Sequence, residues 1–153
     1  MTRSLTITRT LWAIGGTAAI LYSGGIAAYD PPTNIGAASS EKSAFFSKAQ
    51  ATRGGEISLA HCAMCHGAEL TGGGGSPPLQ GPDFLFGWSS KTTKDLVEYI
   101  SEKMPPGLGH SLTEQQYEDV SAYILSANGF PAGPSPLNPA DPKHIGEPPE
   151  TAQ

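Results

Sequence analysis

Residues 62–66 read Cys62-Ala63-Met64-Cys65-His66, and this run of five decides how the rest of the chain is read. Two thiols separated by two residues, with an imidazole directly after the second, form the attachment signature of a c-type haem. The chemistry requires that spacing. Each thiol adds across one vinyl group of the porphyrin and leaves a thioether, and one helical turn brings the following histidine beneath the iron. A cofactor tethered in this way stays with the chain even while an iron–ligand bond is open. Three other uses of the pair fit less well. A thioredoxin-like redox pair needs a βαβ context, and no alternating strand pattern is present. Zinc needs further thiol or imidazole ligands, whereas the chain has only two cysteines, and His61, His110 and His144 are scattered. A simple Cys62–Cys65 disulfide suits an oxidising compartment, but it gives the adjacent His66 no role.

The sixth position on the iron asks for a second donor. A thioether sulfur stabilises ferrous iron and raises the reduction potential, so His/Met ligation suits electron transfer. Of three methionines, Met1 begins the chain and Met64 lies between the thioether cysteines. Met104 remains, at the end of an expected helix and followed by Pro105-Pro106. The prolines hold an extended backbone from which the sulfur can reach the iron. A lone methionine at a helix end is ordinarily core packing, and His110 is the main rival donor. His61 lies too close to the attachment site, and His144 is expected in solvent.

Outward from the motif, Ala44 to Cys62 has helical composition in two pieces, interrupted at Gly54-Gly55, with Ile57, Leu59 and Ala60 apolar after the break. Gly67 to Gly87 reads as a long Gly/Pro-rich loop, a length unusual in a small domain unless it wraps something functional. Thr92 to Lys103 is a helix with Thr93 as its cap and Leu96, Val97, Tyr99 and Ile100 on its apolar face. Thr113 to about Asn128 is another. Thr113 and Gln116 form a capping box, Leu112 staples onto Tyr117, and Gly129 stops the helix. From Phe130 onward the proline-rich chain is expected to be extended, on the surface or disordered. The reading is an all-α domain over about 44–131, with a linker at 29–43 and a tail at 132–153.

The amino terminus bears on the compartment. Arg3 and Arg9 precede an uncharged stretch from Leu11 to Ala28 that ends in small residues, the pattern of an export signal. The segment 1–28 is read as a cleaved signal peptide or an uncleaved membrane anchor, and either places the rest outside the cytoplasmic membrane, in the periplasm. All 14 acidic residues lie beyond Ala28, and the formal net charge of the 153-residue chain is −5. Nucleic-acid binding runs on positive charge, so that class is disfavoured. With 38% apolar residues, 19 glycines and 14 prolines, a large enzyme core is also disfavoured, and a porphyrin serves as the centre that loops and helices pack against.

Four stretches, HCAMCHGAELTGG (61–73), SPPLQGPDFLFGW (76–88), KTTKDLVEYISEKMPPG (91–107) and SLTEQQYEDVSAYILSANGFPAG (111–133), resemble those of class I bacterial cytochromes c. More narrowly, the MPPG turn and the YILSANGFPAG ending resemble the small single-haem cytochromes that accompany quinoprotein (PQQ-dependent) dehydrogenases. The resemblance implies a cytochrome c fold in which the first and last helices cross beside the haem edge. It implies that Pro78 offers its carbonyl to the second ring nitrogen of His66, that Leu79 packs on the haem face, and that Trp88 sits against the porphyrin with its indole N–H available to a propionate. For Leu79 and Trp88, ordinary core packing is an equal alternative. One departure is Ser58, where many relatives carry an aromatic residue, so Ile57, Leu59 and Tyr123 are expected to shape the crossing instead.

These readings point to an electron carrier with one haem c. It takes single electrons from a donor dehydrogenase and passes them to a terminal oxidase or another cytochrome, through a haem edge near the attachment site. Lys91, Lys94 and Lys103 are candidates for steering an acidic partner, or simply a solvated face. The alternatives are a subunit integral to a quinoprotein dehydrogenase complex and, with the iron left open, a haem peroxidase or gas sensor.

Overall fold

The computed structural model describes residues 44–146 and Pro148. The segment 1–28, read as an export signal or membrane anchor, and the stretch 29–43, read as a linker, lie outside these residues, and among the described ones no helix is long and apolar enough to cross a membrane. β1 (Phe46–Ser47) pairs in parallel with β2 (Ala132–Gly133), Phe46 opposite Ala132. Two-residue strands carry no alternating pattern, which is why the sequence shows none. Beside them Phe45 meets Phe130 edge to face at 4.9 Å. Ser47 then caps α1 (Lys48–His61), its hydroxyl accepting the Gln50 N–H.

α1 runs unbroken through Gly54-Gly55, contrary to the expected interruption. The glycines lie where α1 crosses α5 (Glu114–Ala127). A Cβ on Gly54 would fall on the main-chain carbonyl of Asp119, and one on Gly55 would touch the Tyr123 ring at 3.3 Å. Each glycine weakens an isolated helix by about 1 kcal/mol relative to Ala, and the close approach of two backbones offsets that cost. The crossing is closed at its edge by Arg53, whose guanidinium forks onto Asp119 with both N–H···O distances at 2.8 Å, while Gln115 donates to the same carboxylate. Tyr123 contributes as expected, but Leu59 is 65% exposed and plays no part, and Ser58 is the buried residue of that turn. A small side chain suffices there because the glycines have already brought the helices together.

α2 (Ala63–His66) is a single turn that follows α1 directly. The expected long loop contains a further helix, α3 (Pro82–Trp88), with Pro82 at its first position, where proline's fixed φ and missing N–H cost nothing. α4 (Thr93–Lys103) is capped by Thr92, not Thr93. Thr92 and Asp95 exchange capping hydrogen bonds, and these bonds hold the Asp95 carboxyl below its ordinary range. Thr93 is instead buried, one residue inside the helix. α5 begins at the Thr113–Gln116 capping box. Leu112 and Tyr117 are linked by a hydrogen bond from the Leu112 N–H to the Tyr117 hydroxyl, 3.1 Å.

Beyond β2 the chain is extended, as expected, but it is not a loose tail. Leu137 and Ile145 are fully buried. The wholly buried Gln50 side chain takes the Leu137 N–H at 2.7 Å and donates to the Leu137 carbonyl at 3.3 Å. The packed unit therefore extends through residue 146 instead of ending near 131. The apolar core joins Phe46, Leu70, Phe84, Leu96, Ile100 and Val120 with Leu125, Phe130, Leu137 and Ile145.

Candidate functional site

The motif turn is built by local hydrogen bonds. Cys62 caps the end of α1 through its N–H to the Ser58 carbonyl, and the Cys62 carbonyl accepts from Cys65 and His66. Both thiols are free, Cys65 exposed and Cys62 partly covered. Burial pushes the Cys62 thiol above its ordinary value, and a hydrogen bond with Ser58 opposes part of that rise. His66 is only 7% exposed. Its Nδ1 lies 2.8 Å from the Pro77 carbonyl. A carbonyl only accepts, so Nδ1 is the N–H donor of this bond, which leaves Nε2 as the ring nitrogen available to a metal.

That partner corrects the sequence expectation, which assigned the carbonyl of Pro78. The main-chain pairing of Gly73 with Ser76 ends the glycine run at Ser76. The extended chain that follows turns successive carbonyls to opposite sides, so the first proline of the pair faces the imidazole. Pro78 lies one step on, in contact with the wall described next.

Both cysteines, His66, Pro78, Leu79, Trp88 and Met104 line one cavity of about 530 Å³. The volume is within the roughly 300–1,000 Å³ of pockets that enclose a small organic ligand. Met104 ends α4 in an extended conformation, its N–H still bonded to the Ile100 carbonyl. The remaining wall includes Phe84 of α3, Leu96 and Ile100 of α4, and Tyr117, Val120 and Ile124 of α5. His110 does not reach this cavity and is exposed, so the rival donor is not at the site. His144 is exposed too, while His61 reaches the cavity rim. Among the described residues no three His, Cys, Asp or Glu side chains converge as a metal cluster, so zinc finds no set of ligands there.

The donor set fits a haem. Two thiols stand one helical turn apart, an imidazole held through Nδ1 has its far nitrogen free, a thioether reaches the same cavity, and the walls are apolar. The fold's helices and this cavity agree with a family model described as cytochrome c oxidase, cbb3-type, subunit III, which matches residues 49–124. Residues 49–124 form a class I cytochrome c domain. Its cofactor is covalently bound haem c, with iron.

Curated relatives of this cytochrome include the cbb3-type cytochrome c oxidase subunit FixP of Sinorhizobium medicae, 30% identical over 53% of this chain and 31% of that one. The thiosulfate dehydrogenase of Thiomonas intermedia is 34% identical over 54% of this chain and 28% of that one. The chain thus spans less than a third of the length of these curated relatives. The crystal structure of the sulfane dehydrogenase SoxCD from Paracoccus pantotrophus overlays it with a TM-score of 0.43 and 20% identity, over 68% of this chain and 60% of that one.

Two features of the cytochrome's site were not read from the sequence. Phe84 was hidden inside an apparent loop, although Pro82 at a helix start was a usable signal. Asn128 sits at the end of α5 and reaches across to the haem loop. It donates to the Leu79 carbonyl at 2.9 Å and accepts the Gly81 N–H at 2.9 Å. The loop that carries Leu79 is therefore held by the last helix.

Proposed function

We propose that this cytochrome is a single-electron carrier outside the cytoplasmic membrane, in which His66 and Met104 would hold the haem iron. The observation that carries the reading is the presence of both donors on the cavity that also holds the two thiols. When bound, the haem iron supplies a ferric–ferrous couple that takes one electron from a reduced donor and returns one to an oxidised acceptor. The protein's part is to keep the iron closed to substrates and the surroundings fixed. The Pro77 carbonyl orients His66, Asn128 pins the Leu79 loop, and the apolar wall excludes water. The exposed Cys65 side marks where an electron enters.

The donor class is a substrate dehydrogenase and the acceptor class a terminal oxidase or another cytochrome. The names of the relatives, an oxidase subunit and a thiosulfate dehydrogenase, support those classes. The sequence resemblance supports a PQQ-dependent donor. The uncharged stretch 11–28 after a basic start supports the periplasmic location, soluble or anchored. A second reading, a cytochrome subunit built into a larger oxidoreductase, is favoured by the relative that is itself an oxidase subunit.

A titration of the purified holoprotein with carbon monoxide tests the reading. A ferrous spectrum unchanged by the gas, with a reversible one-electron redox curve, is expected. A ferrous protein that binds the gas readily contradicts it and favours an open-iron peroxidase or sensor.

A further inference from the structure

Resting on the haem reading, we propose that residues 137–146 form a strap that fixes Lys91 at the cavity mouth as the cationic partner of a haem carboxylate. Lys91 lines the cavity. Its Nζ stands 4.5 Å from the centroid of the Trp88 ring, and Trp88 is itself packed between Phe84 and Tyr99, at 6.1 and 5.4 Å. A lysine held over an aromatic face is directed, not free to sweep through solvent. Among the described residues it makes no ion pair, whereas Lys94 and Lys103 each have a glutamate. The nearest acid along the helix, Asp95, has its carboxylate engaged by Thr92. Asp83 also lines the cavity but makes no ion pair with Lys91. A haem brings carboxylates, and Lys91 is the cation left unpaired on the wall of its cavity.

The turn that carries Lys91 is held from outside. Gly146 N–H donates to the Ser89 carbonyl at 3.0 Å and Ile145 N–H to the Lys91 carbonyl at 2.9 Å. Thr93 N–H donates to the Lys143 carbonyl at 2.8 Å, and the Thr93 hydroxyl accepts the Lys143 N–H at 3.0 Å. The strap is anchored by buried Leu137 and Ile145 and by the paired bonds of Gln50. Four hydrogen bonds within five residues tie the Ser89–Thr93 turn to the strap. The segment after β2 thus holds the Lys91 turn without itself lining the cavity.

The test compares the reduction equilibrium of the holoprotein and its variants at low ionic strength. Lys91→Gln removes a positive charge that favours ferrous iron through its carboxylate. The equilibrium constant for reduction is expected to fall roughly two- to fivefold, the range of an exposed charge pair. Lys94→Gln, one turn along, is expected to move it less than half as far. Thr93→Val keeps side-chain volume but removes the acceptor for Lys143. It is expected to shift the constant in the same direction, and adding it to Lys91→Gln is expected to produce no further shift, because both act through one group. Equal effects of Lys91→Gln and Lys94→Gln overturn the carboxylate role, and full additivity of Thr93→Val overturns the strap's. Intact mass keeps the two levels apart. A haem-loaded chain with an unmoved equilibrium overturns this proposal alone, and a chain without haem overturns the electron-carrier reading as well.

Discussion

Replacing Met104 by Ala is expected to lower the reduction potential by roughly 0.1–0.3 V, a sizeable part of the ~0.8 V range over which axial ligands set haem potentials. The sign follows from the donor. A thioether sulfur is a weak, polarisable ligand that favours ferrous iron, and the alanine side chain supplies nothing in its place. Among the described residues Met104 is the one methionine on the cavity wall, and its backbone is anchored at the end of α4. The variant should also bind carbon monoxide when reduced, where the wild type does not. Electrochemistry and a ferrous spectrum under the gas check both outcomes. An unchanged potential assigns the sixth position to another group.

The second large effect concerns the helix crossing. Gly54→Ala places a methyl group on the Asp119 main-chain carbonyl of α5. Backbone does not move aside as the tip of a flexible side chain does, so the helices must separate. Overpacking typically costs about 1–3 kcal/mol, and this site is expected at or above the upper end. Gly55→Ala is the matched control. Its methyl meets only the Tyr123 ring, at 3.3 Å, and the gain in helix propensity of about 1 kcal/mol opposes the contact, so the net change is expected within about 1 kcal/mol of zero. Denaturant unfolding of both holoproteins, followed by helical circular dichroism, compares them. Equal stabilities would show that the crossing is looser than the backbone contact implies.

That pair of glycines also shows what was legible in the sequence and what was not. Covalent chemistry is written in fixed spacing, so Cys62, Cys65 and His66 stand out as candidates directly and Met104 as a candidate by elimination among three methionines, and all four line one cavity. The α5 capping box was equally plain, because its donors and acceptors are three residues apart. Gly54-Gly55 read as a break because propensity is local, while the reason for the glycines is a carbonyl of Asp119 far along the chain. The same limit hid the tail. Leu137 and Ile145 are two apolar residues among prolines, and only the tertiary bonds from Gln50, Ser89 and Lys91 turn that segment into packed structure. The shift from Pro78 to Pro77 is a matter of carbonyl direction, which two adjacent prolines do not reveal until the Gly73–Ser76 turn sets the phase.

The absorption spectrum of the oxidised holoprotein tests the axial pair most directly. Ligation by His66 and Met104 predicts a weak long-wavelength band arising from charge transfer between the methionine sulfur and ferric iron, lost in Met104→Ala. A wild-type protein without that band, at neutral pH and with its haem attached, would contradict the sulfur ligand and with it the closed, electron-carrying site.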